Sequence, residues 1–237
     1  MAHPIHIIKT GDTFDTVQPR LGDFEDWIAR GLGVDASKIR VVDVPRGDVL
    51  PDPGRTAGAV IAGSHAMVSD GLDWSLKIEA WVPVLVENQV PLLGICYGHQ
   101  LLAQAMGGRA GYHPRGLEIG TRKIRLTDAA EKDLLFAGLS SPFTGHTTHS
   151  QTALTLPPGA VLLAENDHDP HHAFRLGNLA WGVQFHPEYT RETMTAYVTE
   201  MEGMIKEQGL NYEEILNQVE ETEQAHGVLS RFGRLCR

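Results

Sequence analysis

The stretch "PLLGICYGHQLLAQAMGG", Pro91 to Gly108, decides the reading of this chain. An apolar run, Leu92–Ile95, passes directly into a helical pattern over Tyr97–Met106, and Cys96 stands at the junction with a glycine two residues away on each side. A buried structural cysteine needs no such flanking. A nucleophile on a tight strand-to-helix turn does, because its neighbours must be small where the backbone folds back on itself. The turn would also set Cys96 at the positive end of a helix, where backbone N–H groups favour a thiolate.

The surrounding sequence predicts the frame such a turn requires. Strands are expected at Ile5–Ile8, Ile39–Val44, Ala59–Ile61 and Leu92–Ile95, alternating with helices at Leu21–Leu32, Trp74–Glu87 and Tyr97–Met106, the pattern of a parallel sheet covered on both faces. Pro83 should kink or shorten the second helix. Between Leu117 and Phe185 the pieces "LEIGTRKIRLT", "FTGHTTHSQTALTLP", "AVLLAEN" and "HHAFRLGNLAWGVQF" are strand-like and divided by turn residues, which favours antiparallel hairpins joined to the main sheet. After Thr190 the pattern returns to helix, read as one docked helix, then a solvated acidic one in a tail from about residue 211. No repeat or low-complexity linker divides the chain, so a single α/β domain over 1–237 is expected: a three-layer sandwich with a small antiparallel extension.

Composition narrows the function classes. With 237 residues, 42% of them apolar, the chain can bury a large core, and a formal charge of −10 argues against a nucleic-acid partner. The start, "MAHPIHIIKT", lacks the basic region and apolar core of a secretory signal, and no apolar run approaches the roughly 18 residues that span a bilayer, so a cytoplasmic protein without a membrane partner is expected. Cys96 and Cys236 suggest neither a disulfide framework nor a zinc site and are read as free thiols.

A lone cysteine between glycines is as consistent with a small core residue as with a nucleophile. The partner base comes from "GVQFHPEYT": His186 ends an apolar strand, Pro187 stops it, and Glu188 stands two residues on, placed to orient the imidazole. A cysteine, a histidine and a carboxylate supply a nucleophile, a proton carrier and an orienting group. Cys96 and His186 are both expected at C-terminal strand ends, where open α/β sheets bind ligands.

With these motifs in view, "GICYGHQ" and the distant "HPE" resemble the class I, triad-type glutamine amidotransferase family over about Ile5–Tyr197, most closely the amidotransferase portion of GMP synthase and the stand-alone γ-glutamyl peptidases. The resemblance implies a γ-glutamyl thioester on Cys96, with His186 as acid and base and Glu188 as its orienting carboxylate. It implies oxyanion donors at Tyr97 and at Gly63, in a loop that reads Ala62-Gly63-Ser64 where relatives have Gly-Gly-Pro. It implies substrate-binding roles for Gln100 and for His149, although Gln151 stands where many relatives carry an aspartate. No cofactor is implied.

"ENDHDPHHAF" (Glu165–Phe174) lacks metal-ligand spacing and reads as a turn with solvent-facing imidazoles; the GLG at Gly31–Gly33 reads as a helix C-cap, and no phosphate loop exists. Three functions stay open. The chain is a glutaminase subunit feeding ammonia to a separate synthase chain, a self-sufficient γ-glutamyl hydrolase, or a binding protein of the same fold that has lost turnover.

Overall fold

A computed structural model describes residues 3–236. In chain order its elements are β1 (Ile5–Lys9), α1 (Gln18–Leu21), α2 (Phe24–Leu32), β2 (Ile39–Asp43), β3 (Gly58–Ile61), α3 (Asp73–Glu87), β4 (Leu92–Ile95), α4 (Tyr97–Ala105), β5 (Arg109–Tyr112), β6 (Glu118–Leu126), β7 (Phe143–His149), β8 (Gln151–Thr155), β9 (Val161–Glu165), β10 (Ala173–Leu176), β11 (Ala180–Val183), α5 (Arg191–Glu200), α6 (Glu202–Glu207), α7 (Tyr212–Asn217) and α8 (Glu223–Leu235). Nine strands form one sheet in the order β2-β1-β3-β4-β11-β10-β9-β6-β7, and β5 pairs with β8 in a small second sheet. The strands from β2 to β11 run parallel, and the rest of the large sheet is antiparallel. The expected α/β architecture, with a largely parallel core and a small antiparallel sheet, is the one observed.

The parallel strands are buried on both sides because their side chains divide between two cores. Ile5, Ile7, Val60, Leu93 and Ile95 join one cluster with Phe24, Trp27, Ile28, Val228 and Phe232 from α2 and α8. Ile8, Ala59, Ile61 and Leu92 point the other way, onto Ile78, Val82, Leu85 and Leu101 from α3 and α4. The period-two alternation of each strand thus builds a helix–sheet–helix sandwich.

Several local expectations need correction. The helix expected over Leu21–Leu32 is two helices: α1 ends at Gly22, whose φ is +85°, and α2 restarts on Asp23, which forms a capping box with Asp26. Pro83 does not shorten α3, which runs on to Glu87. Strand β5 had no expectation; its "RAGY" is too short to show a period. Gly33 does cap α2, in the left-handed conformation. The acidic run read as a solvated helix packs down instead, because Ile215, Val219 and Ala225 are buried beneath its outward-facing glutamates. Among the described residues no helix is long and apolar enough to cross a membrane.

Helix α8 is therefore part of the core, and Phe232, fully buried, is its main anchor. Phe232→Ala should cost about 3–5 kcal/mol, and lower the melting temperature by roughly 10 °C. An unchanged melting curve would show that the tail helix does not contribute to the fold.

Candidate active site

Strands β4 and β11 lie side by side in parallel, with Gly182 opposite Gly94 and Val183 opposite Ile95. Their C-terminal ends therefore come level, and the residues just beyond them meet. On β4 the next residue is Cys96, the N-cap of α4, with φ +49° and ψ −97°, a conformation that L-residues avoid outside strained turns. The flanking glycines are required by space. A Cβ on Gly94 would lie 2.3 Å from the Gly98 carbonyl oxygen, and one on Gly98 would lie 2.4 Å from that of Ile61.

On the neighbouring strand the chain continues beyond Val183 to His186, whose N–H donates to the His146 carbonyl at 2.8 Å. His186 Nδ1 donates to Glu188 Oε1 at 2.7 Å, and the ring stacks on Tyr189 with centroids 4.1 Å apart. Its Nε2 is buried with no protein partner. Burial opposes the imidazolium, but the Glu188 carboxylate and the Cys96 sulfur outweigh it and raise the histidine from 6.5 to about 10.

Cys96 and His186 line one cavity of about 340 Å³, together with Tyr97, Gln100, His149 and Gln151. The Cys96 Sγ lies 3.7 Å from the Thr148 carbonyl oxygen. Tyr97 is the first residue of α4, so its N–H has no acceptor within the helix. Gly63 lies against His186: a Cβ there would be 3.0 Å from its Cε1. Its loop has no proline and is pinned by side-chain hydrogen bonds. Thr10 Oγ1 donates to the Gly63 carbonyl at 2.7 Å, while Ser64 Oγ donates to the Thr10 carbonyl at 2.7 Å and accepts from the Ala66 N–H at 3.1 Å. Gln100 is buried, with its amide nitrogen on the Gln151 carbonyl at 2.7 Å and on Gln184 Oε1 at 3.1 Å.

His149 lines the cavity with both ring nitrogens engaged. Nδ1 donates to the Gln151 carbonyl at 2.9 Å and Nε2 to Glu118 Oε2 at 2.8 Å. Both partners are acceptors, so the ring is held as an imidazolium; burial opposes this charge, but Glu118 outweighs it and raises the histidine. Burial would likewise push Glu118 up, yet His172 and His149 together hold its carboxyl well below the ordinary range. Its other oxygen accepts from Asn166 Nδ2 at 2.6 Å.

Glu118 was missed in the sequence because its contacts reach across 31 and 54 residues and depend on strand register. The loop read as a turn with solvent-facing imidazoles is also corrected: His172 and Asp169 are fully buried, drawn in by Glu118 and by Thr152. Glu118, His149 and His172 place three ligand atoms within 4.8 Å of one another, close enough to hold a cation, and the hydrogen bonds between them account for that spacing. The sequence reading also passed over the wall formed by Tyr189, Tyr197, Glu200 and Met201. Its one sequence signal is an aromatic and a helix following directly after the HPE turn.

A raised His186 has a defined pH signature. Because its folded value of about 10 exceeds the ordinary 6.5, its stabilising contribution is complete below about 6.5 and is lost as pH rises through about 10. In an NMR titration the His186 ring should show no midpoint between about pH 5.5 and 8.5. Glu188→Gln should lower the midpoint; a wild-type midpoint near 6.5 would contradict the charged pair.

Comparison with known proteins finds a matching family, partial relatives and similar folds. The family model described as glutamine amidotransferase class-I matches residues 55–204. The chain is 34% identical over 139 residues to γ-glutamyl peptidase 5 of Arabidopsis thaliana, an alignment covering 58% of this chain and 55% of the relative. It is 33% identical over 158 residues to the glutamine-hydrolysing GMP synthase of Aeropyrum pernix, covering 65% of this chain and 28% of that one. It thus spans about half of the plant relative and little more than a quarter of the synthase. Among solved structures, a glutamine amidotransferase from Methylobacillus flagellatus superposes with a TM-score of 0.77 at 25% identity, covering 99% of this chain and 96% of that one. One from Thermotoga maritima, at 19% identity, shares the fold with a TM-score of 0.77 over 100% of this chain and 99% of its own.

Proposed function

The chain belongs to the class-I glutamine amidotransferase family, and from that premise we propose that it hydrolyses the γ-amide bond of glutamine or of a γ-glutamyl compound through a thioester on Cys96. The observation that carries this is the strained Cys96 at a helix N-terminus, sharing one cavity with a buried His186–Glu188 pair. In the first half-reaction Sγ attacks the δ-carbonyl carbon, the C–N bond breaks, and His186 Nε2 delivers its proton to the leaving nitrogen. Water then attacks the thioester, His186 takes its proton, the C–S bond breaks and glutamate leaves. The N–H groups of Tyr97 and Gly63 receive the oxyanion in both steps. Gln100 orders the glutamyl side of the cavity, and His149, with both nitrogens engaged and its charge paired with Glu118, contributes shape rather than a free hydrogen bond.

Two leaving groups fit this chemistry. Glutamine would release ammonia, which a separate synthase subunit could take up. A γ-glutamyl conjugate would release an amine and need no partner. The cavity favours the second, since it continues past His186 along Phe14, Tyr197, Met201 and Met204, an apolar wall for which ammonia has no use.

Glutamate release from L-glutamine and from γ-glutamyl peptides and amines, with Cys96→Ala as the blank, tests the proposal. Release should fall to background in Cys96→Ala, and retained turnover would overturn the mechanism. His186→Ala should lose roughly a hundredfold more than Glu188→Gln, because moving a proton contributes more than orienting the group that moves it. Equal losses would give Glu188 a different role.

A further inference from the structure

We propose that Glu200 selects the leaving group, and that the preferred substrates are γ-glutamyl amides whose departing amine carries a second, positively charged nitrogen. This rests on the γ-glutamyl hydrolase reading above and specifies its substrate class. His186 must protonate the leaving nitrogen, so the leaving group lies on the side of the cavity that His186 faces. From His186 the wall continues through Tyr189, stacked at 4.1 Å, to Tyr197, whose ring lies 4.8 Å from that of Tyr189, and then along α5 to Glu200. Gln100 and Gln151, joined to each other by hydrogen bond, also line the cavity, and the hydrolase reading assigns them to the glutamyl group.

The charge on this path has one sign. Among the described residues Glu200 is the sole carboxylate lining the cavity, and no lysine or arginine lines it. The two imidazolium rings that face the cavity are each neutralised by a buried carboxylate of their own, His149 by Glu118 and His186 by Glu188. A leaving group that bears a carboxylate would find no free cation. An ammonium would find Glu200, with the Phe14 ring beside Tyr197 on the same wall, and both attract positive charge.

The test uses three amides that share one acyl group and one chain length: γ-glutamyl-1,4-diaminobutane, γ-glutamyl-n-butylamine and γ-glutamyl-4-aminobutyrate, whose leaving groups are cationic, neutral and anionic. Wild-type kcat/KM should favour the cationic amide over the neutral one by roughly tenfold, the sum expected of a partly exposed ion pair and a cation–π contact. The preference should shrink as salt is added. In Glu200→Gln the cationic-to-neutral ratio should fall to near one, and in Glu200→Lys the anionic amide should become the better substrate. Glu200 is exposed, so both variants should melt like the wild type. Cleavage of all three amides by the wild type at equal efficiency would overturn the proposal and leave the hydrolase reading intact. An equal fall for all three in Glu200→Gln would also overturn it, since that places the carboxylate on the shared α-ammonium. Cleavage of none would overturn the hydrolase reading and this proposal with it.

Discussion

The Cys96 N–H donates to the Val183 carbonyl at 2.8 Å, one hydrogen bond of the β4–β11 ladder, and the active site depends on it. It fixes the register of two parallel strands so that one ends at Cys96 and the next continues to His186. Side chains alternate along a strand, so a slip of one residue would turn His186 away from the cavity. The register is held from the far side as well, where His186 donates to the His146 carbonyl. Sub-ångström placement of two side chains needs a rigid frame, which the parallel core supplies.

Around this bond the site is organised as paired charges removed from water. Glu188 faces His186 and Glu118 faces His149 and His172, all of them buried. A single buried charge would be costly, and each pair offsets the penalty by direct hydrogen bonds. Two imidazolium rings are thereby presented to Cys96 from different elements. Each ring's charge is balanced by its carboxylate, so the cavity borders two buried ion pairs and, among the described residues, no lysine or arginine.

The elbow, the HPE turn and the parallel strands were legible in the sequence because each is written locally. Glycines two residues from Cys96 mark a turn that cannot hold a Cβ, and β-branched runs mark strands buried on both faces. What was not legible depends on partners distant in sequence. Glu118 looks like any polar residue opening a strand until β6 and β7 pair and place it under His149. His172 reads as a surface histidine until that same carboxylate draws it inward. The break at Gly22 and Asp23 was written locally, as a glycine at positive φ followed by a capping box, and an apolar periodicity running across it hid the signal. The acidic tail misled for a similar reason: its charge is conspicuous, while the few apolar residues that dock it are spaced through it at helical intervals.

The central claim is that turnover passes through a covalent bond to Cys96. The most direct measurement is intact-protein and peptide mass spectrometry of the enzyme quenched in acid during turnover of a γ-glutamyl amide. The account predicts a γ-glutamyl adduct confined to the peptide that contains Cys96, lost when water completes the reaction and absent from Cys96→Ala. Turnover with no adduct at any quench time, together with hydrolysis by Cys96→Ala, would contradict it.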